Sequence, residues 1–397
     1  MVQNQRNVLI LFFTMIVIML GFGIVIPILP FYVKQFGAGG SALGMLMATY
    51  GLMQFIFAPI WGSISDQIGR KPILMVGVFG NALAQLLLGL STQLWMLFVA
   101  RALAGILSSA TLPTAMAYVS DSTSEEERGG KMGMIGAAMG IGMVIGPGLG
   151  GWLASSSLSA PFFLASGLSF LALIIVFLVL PEAPRSAPNK DIRIRGPQIQ
   201  NLWKALTGPI GLLFWMAFLL SFGLTNFESV FGLYAKERYN YTPQQVGTIL
   251  TVIGLISALI QGGLTGPATR KFGEIKVIQA AFISSAIGFV LMTLAQNYVQ
   301  VMLTAGYFVL SNAMLNPSVA SLISKNTSTK QGITMGLNNS FLSLGRIIGP
   351  MWAGSIFDLN IHYPYFSGSV IMVLGFLMSL AWSRREVALK FNPEIED

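Results

Sequence analysis

Apolar runs recur along the chain at 8–33, 42–64, 72–91, 94–118, 132–154, 160–180, 209–234, 243–266, 275–294, 298–323, 332–356 and 364–384, each closed by a polar break. A helix rises 1.5 Å per residue, so about 20 apolar residues cross the ~30 Å hydrocarbon layer of a bilayer. The pattern predicts twelve membrane-spanning helices. They fall six and six around the more polar segment 181–208, which holds Pro181, Pro184, Pro188 and Pro197 and five basic residues. That composition suits a linker. The expected organisation is an N-terminal six-helix lobe at 1–180, a linker at 181–208, and a C-terminal six-helix lobe with a short tail at 209–397.

Composition supports the same class. Hydrophobic residues make up 54% of the chain and charged residues 10%, against about 25% charged in soluble domains. The fold class expected is an all-α membrane protein. With no Cys and a single His, His362, disulfides, thiol catalysis and a multi-His metal site are not expected. No cofactor is implied. The first apolar run is too long for a signal-peptide core and lacks an A-x-A site, so it is expected to remain as a helix. The net charge of +8 would suit a nucleic-acid partner, but its placement argues otherwise. If the N-terminus is cytoplasmic, nearly all basic residues outside the spans fall in cytoplasmic loops. Lys34, Lys236 and Arg238 alone fall on the other side. This is the positive-inside pattern of a multi-pass protein with both termini in the cytoplasm, and no nucleic-acid partner is expected.

Within this apolar background a few polar residues carry the candidate chemistry. The run at 212–234 holds one carboxylate, Glu228, and no other charge. A charge at bilayer depth costs at least about 2.5–3.5 kcal/mol, so Glu228 reads as a group facing an internal cavity, where it takes up and returns a proton. Arg101 and Arg346 also lie within spans. Uncharged polar residues in spans, Tyr50, Gln54, Gln261, Asn316, Asn338 and Asn339, are candidates for lining a substrate cavity. No phosphate-binding glycine loop is present, and no nucleophile–base pair suggests an enzyme.

The two halves echo one another. "GSISDQIGRKP" follows the second span and "GPATRKFGE" the eighth; "GIGMVIGPGLGG" lies in the fifth span and "GRIIGPMWAG" in the eleventh. Parallel repeats of this kind place a binding site near the membrane midplane. The first of these loops, with Gly62, Asp66, Gly69, Arg70 and Lys71, resembles the signature loop of the major facilitator superfamily. The resemblance implies a fold of twelve helices in two lobes that alternates between inward-open and outward-open forms. In that family the loop is a cytoplasmic latch. Asp66 would cap the start of span 11, and Arg70 would pair with Asp121 at the foot of span 4. Arg101 stands in a stretch similar to the family's second motif, whose arginine helps set proton uptake. Gly142, Gly146, Pro147, Gly150 and Gly151 resemble the motif of the exporter branch, a kinked, tight seal that implies outward transport. Glu228 falls where twelve-helix drug/proton antiporters of the norfloxacin-resistance and Bmr/Blt types carry their proton-coupling carboxylate.

The chain departs from those exporters at two positions. Asn312 stands where relatives usually carry a second acid, and Arg346 where they carry a neutral residue. Counted along their spans, Arg346 and Glu228 fall at depths that would let them face each other in the C-terminal lobe, and the count leaves open whether they pair. Such a pair would weaken the picture of a free carboxylate trading a proton for a drug cation, and would open the site to a zwitterionic or anionic substrate. The function implied is proton-coupled efflux of amphipathic, often cationic drugs by a monomer in the bacterial cytoplasmic membrane. Glu228, Arg101, Arg346 and Asn312 are its expected coupling residues. The alternative is a proton-linked carrier of a specific metabolite or sugar on the same fold.

Overall fold

The computed structural model describes residues 2–183, 199–327 and 331–391, and among these every regular element is a helix. Pro184, Pro188 and Pro197 of the expected linker, and Lys330, lie outside the described residues. The helices are α1 (Val2–Gln35), α2 (Gly40–Ile68), α3 (Arg70–Leu90), α4 (Leu94–Leu107), α5 (Thr111–Ser122), α6 (Glu125–Leu153), α7 (Ala160–Val179) and α8 (Ile199–Thr207). They continue as α9 (Gly211–Tyr239), α10 (Pro243–Leu259), α11 (Thr265–Phe272), α12 (Glu274–Leu294), α13 (Tyr298–Ala313), α14 (Leu315–Lys325), α15 (Gln331–Phe357) and α16 (Tyr363–Phe391). Eleven helical stretches among the described residues are long and apolar enough to cross a membrane. The 27-residue α15 stands outside that set because of its polar residues.

Three of the apolar runs are each folded as two helices, and in each the break lies just before a proline. A 3-10 turn, Ser108–Ala110, separates α4 from α5 ahead of Pro113. A π turn, Ile260–Leu264, separates α10 from α11 ahead of Pro267. Met314 separates α13 from α14 ahead of Pro317. Proline offers no N–H to the carbonyl four residues back and crowds it, so the ladder opens there. At the first break the Ile106 carbonyl accepts from the Trp61 indole Nε1–H at 2.6 Å and from Ser109 Oγ at 2.9 Å.

Glycines with positive φ close the two loops that looked alike in sequence. Gly69, between α2 and α3, has φ 122°, and Gly273, between α11 and α12, has φ 81°. Only a residue without a Cβ adopts these values at little cost, so the two halves share a turn as well as a motif.

The described residues form two units. One comprises Met1–Pro197 with Gly232–Thr251, the other Gln198–Phe231 with Val252–Asp397. In the first unit, α1 lies along α6 and α3 along α7. Its core gathers Leu11, Met15, Val78, Tyr118, Ala138 and Val176. In the second, α12 packs on α13 and α16. An aromatic cluster fills its centre, with Phe289 and Phe308 ring centroids 4.5 Å apart and Phe227 and Phe308 5.1 Å apart.

Candidate functional site

In the second unit, α9 and α15 approach through small residues. Ser221 Oγ donates to the Leu342 carbonyl at 2.7 Å, and Thr225 Oγ1 shares its proton between Ser221 O at 2.8 Å and Gly345 O at 3.1 Å. A Cβ on Gly345 would lie 2.7 Å from the Phe222 nitrogen, so only glycine permits this spacing. Interhelical hydrogen bonds in membranes average about 0.6 kcal/mol. Here they fix register as much as they add stability. Glu228 is one turn beyond Thr225, and Arg346 follows Gly345, so the contact sets both charges beside the same seam.

The neighbours of Glu228 lock its direction. Asn226, Phe227 and Ser229 are buried; Asn226 Nδ2 donates to Pro364 O at 2.8 Å. Those three face the core, while Leu224, Thr225 and Glu228 share a half-buried face. The Glu228 carboxylate makes no hydrogen bond and no ion pair among the described residues, and Arg346 is the charged group whose field reaches it. The ion pairs among these residues are Lys34–Glu237, Arg70–Asp66, Arg70–Asp121 and Lys325–Glu274. Glu228 and Arg346, whose pairing the sequence left open, form no ion pair here. The seam holds the two helices in register, and their side chains leave it in directions that keep the charges out of contact.

Arg346 is exposed, and its position on α15 says to what. Gly332, Gly336, Asn339, Ser343 and Arg346 recur every three or four residues on one face of the helix, and all are exposed or half-buried. Ile333, Ile348, Met351 and Trp352 are the exposed apolar residues, and they lie around the other side. At 100° per residue the two faces are distinct. The apolar one suits lipid; the polar one does not. Asn338 is buried on the packed flank, whereas Asn316 on α14 and Gln261 in the π turn are exposed, Gln261 Nε2 donating to Ser257 Oγ at 2.8 Å. Asn312 is buried, and its Nδ2 has no hydrogen-bond partner.

The first unit treats its intramembrane charge differently. Arg101 is 3% exposed. Its guanidinium lies over the Tyr50 ring, 4.4 Å from the centroid, and donates to Leu46 O at 3.4 Å and weakly to Met47 Sδ at 3.8 Å. Among the described residues no carboxylate pairs with it. It borders a small cavity of about 20 Å3, with Tyr50, Asn81, Gln85 and Ser108 among the lining. Gln85 Oε1 and Ser108 Oγ lack partners there, and the volume suits one water molecule. Gln54, by contrast, reaches only the Tyr50 hydroxyl, at 3.4 Å. The sequence reading missed Asn81 and Gln85; their spacing of four on one face of the apolar α3 was the available signal.

The loop residues gather around Arg70, whose guanidinium contacts Asp66, Ser65 Oγ at 2.7 Å and Asp121 Oδ2 at 2.8 Å. Glu182, also missed from sequence, accepts the backbone N–H of Arg70 at 2.6 Å and of Lys71 at 3.1 Å. It thereby caps the start of α3, where unsatisfied N–H groups and the helix dipole favour a carboxylate. Lys71 Nζ donates to Phe177 O at 2.8 Å, and Gly62 has open space where a Cβ would stand.

The glycines of the fifth span divide by face. A Cβ on Gly146 would lie 2.8 Å from Leu20 O of α1, and Gly142 and Gly150 face α1 as well. A Cβ on Gly148 would lie 2.6 Å from Thr251 Oγ1, and Gly151 faces Pro243 and Gly247, while the Pro147 carbonyl meets Gly247. The motif thus packs α6 on two sides at once, against α1 and against the start of α10.

Among the described residues no group of three or more His, Cys, Asp or Glu could hold a metal ion.

Comparison with known proteins matches the family model described as Major Facilitator Superfamily twice, over residues 11–264 and 213–396. Multidrug resistance protein 2 of Bacillus subtilis is 30% identical over 97% of this chain and 97% of its own length. The quinolone resistance protein NorA of Staphylococcus aureus is 29% identical over 97% and 99%. Among solved structures, an inward-facing, occupied bacterial homologue of the human lysosomal transporter Spinster superposes with TM-score 0.80 at 13% identity, covering 96% of this chain and 97% of its own. The human organic anion transporter MFSD10 gives 0.67 at 22%, covering 95% and 99%. With the repeated glycine turns, the Arg70 cluster and these matches over nearly its whole length, the chain belongs to the major facilitator superfamily.

Proposed function

We propose that this chain is a secondary transporter that exports amphipathic drugs in exchange for protons. It would work as a monomer in the cytoplasmic membrane with both termini inside. One observation carries the reading: Glu228 is a half-buried carboxylate within a membrane-length helix, with neither hydrogen bond nor ion pair among the described residues. A carboxylate already satisfied by partners would have no reason to accept a proton. An unsatisfied one is stabilised either by a proton or by a cationic substrate, and the two exclude each other. That exclusion is the coupling. A proton moving through 100 mV releases about 2.3 kcal/mol, and the pH difference adds to it. The protonated carrier returns more readily because burying a neutral acid costs far less than burying a carboxylate.

In this reading the Arg70–Asp66–Asp121 cluster is part of a cytoplasmic gate, and the packed glycines of α6 are part of the seal. Asn339, Gln261, Asn316 and Tyr50 are cavity-facing candidates. Asn338 and Asn312 support the site through buried packing, and Arg101 acts as a positioning residue from behind its own seal. The relatives' names support drugs as the cargo class. The test is uptake of a fluorescent drug into inverted vesicles under an imposed pH gradient. The native chain accumulates the drug. Glu228→Gln does not, and accumulation in that variant would end the proposal. The open cation at Arg346 favours a second reading, a proton-linked carrier of one metabolite. A panel of dyes and antibiotics in cells without their own pumps separates the two, since a dedicated carrier protects against none.

A further inference from the structure

Resting on the reading that Glu228 exchanges a proton for a cationic group of the substrate, we propose that Arg346 makes this site selective for molecules bearing both a negative and a positive group, and that it disfavours simple organic cations. Glu228 and Arg346 flank one seam, leave it without touching, and have no other partner of opposite charge among the described residues. Arg346 stands at one end of the polar stripe that includes Asn339 and Ser343, on the side of α15 away from its exposed apolar residues. Its exposed side is therefore the polar face of the helix and not the apolar one.

The argument is one of charge balance. A site with a lone carboxylate becomes neutral when a monocation binds. This site is neutral when empty, with its two charges held apart. A monocation that reaches Glu228 leaves the guanidinium uncompensated beside it and feels its repulsion through a partly low-dielectric region. A molecule with a carboxylate for Arg346 and an amine for Glu228 satisfies both and leaves the sum at zero. Guanidinium binds a carboxylate through two parallel N–H···O bonds, so the anionic group would be held in a defined orientation. Asn312 is consistent with this balance: an amide stands there and adds no second negative charge to offset Arg346.

The test uses two dyes that differ by one ester. Rhodamine 6G is a cationic ethyl ester, and rhodamine 19 is its zwitterionic free acid. Their binding to the purified full-length chain in nanodiscs, without a proton gradient, is read by fluorescence anisotropy. The native chain should bind the acid about tenfold more tightly than the ester, the factor that 1.4 kcal/mol makes. Arg346→Asn should remove or invert that order, and Arg346→Lys, which keeps the charge, should preserve it. Equal binding of the two dyes by the native chain, an order unchanged in Arg346→Asn, or no binding of either dye would overturn the proposal. Transport of the same dyes under a pH gradient is a separate readout. If the native chain moves neither dye but keeps this binding order, the efflux reading fails and the charge rule stands.

Discussion

Arg101 and Arg346 carry the same charge within long helices of the two units, and their surroundings are opposite. Arg101 is sealed. It is 3% exposed, covered by the Tyr50 ring, and borders a cavity with room for about one water. Arg346 is exposed and stands on a polar stripe near Glu228, which is unpaired among the described residues. A buried cation with neutral partners cannot exchange partners during a cycle without exposing its neighbours' orphaned atoms, so it holds structure in place. An exposed cation near a half-buried anion, with no ion pair between them, is free to exchange partners, which is what binding requires. The two units share turns and motifs, yet the arginine within a span is enclosed in the first and exposed in the second.

The comparison breaks most visibly at Glu228. Glu228→Gln should lower pH-driven drug accumulation by about a hundredfold or more, with thermal stability unchanged, because the amide has the same shape and the carboxylate makes no hydrogen bond or ion pair among the described residues. The chain contains no cysteine, so single cysteines report accessibility directly. A water-soluble thiol reagent should label Arg346→Cys quickly and Arg101→Cys at least about tenfold more slowly, the factor expected if reaching the thiol requires an opening that costs 1.4 kcal/mol. Equal rates would erase the contrast. Arg101→Ala should destabilise the protein by about 1–3 kcal/mol, since it removes a buried donor set and leaves acceptors without partners. Circular dichroism melting would show this, and an unchanged melt would mean that the seal is not structural. Tyr50→Leu should cost less, about 0.5–2 kcal/mol, through loss of the cation–π contact. The smallest effect is expected at Ser221→Ala, about 0.6 kcal/mol. A larger loss there would mean that the α9–α15 seam, and not the open charges, limits the site.

Much of the fold was legible along the chain because apolar length is a local property. Runs of about 20 residues gave the helices, and paired glycine turns gave the repeat. Proline breaks within three spans blurred element boundaries without changing their number. The polar residues of α15 lowered its hydropathy, and those same residues make it a candidate for the site. The site itself was only partly legible. Glu228, Arg101 and Arg346 stood out because charge is rare in apolar helices. Gln85, Ser108 and Glu182 did not, because their importance comes from what they meet across helices: a cavity wall for the first two, a helix start for the third.

By itself the sequence determined that the chain is a multi-helix membrane protein and which polar residues lie within its apolar runs. Only the tertiary structure decided which of those residues are enclosed and which are open. Depth along a helix follows from counting residues, but the direction of a side chain depends on which helix packs beside it. That packing turned Asn338 inward and Asn339 outward. It buried Arg101 under Tyr50, and it left Glu228 and Arg346 near each other without letting them meet.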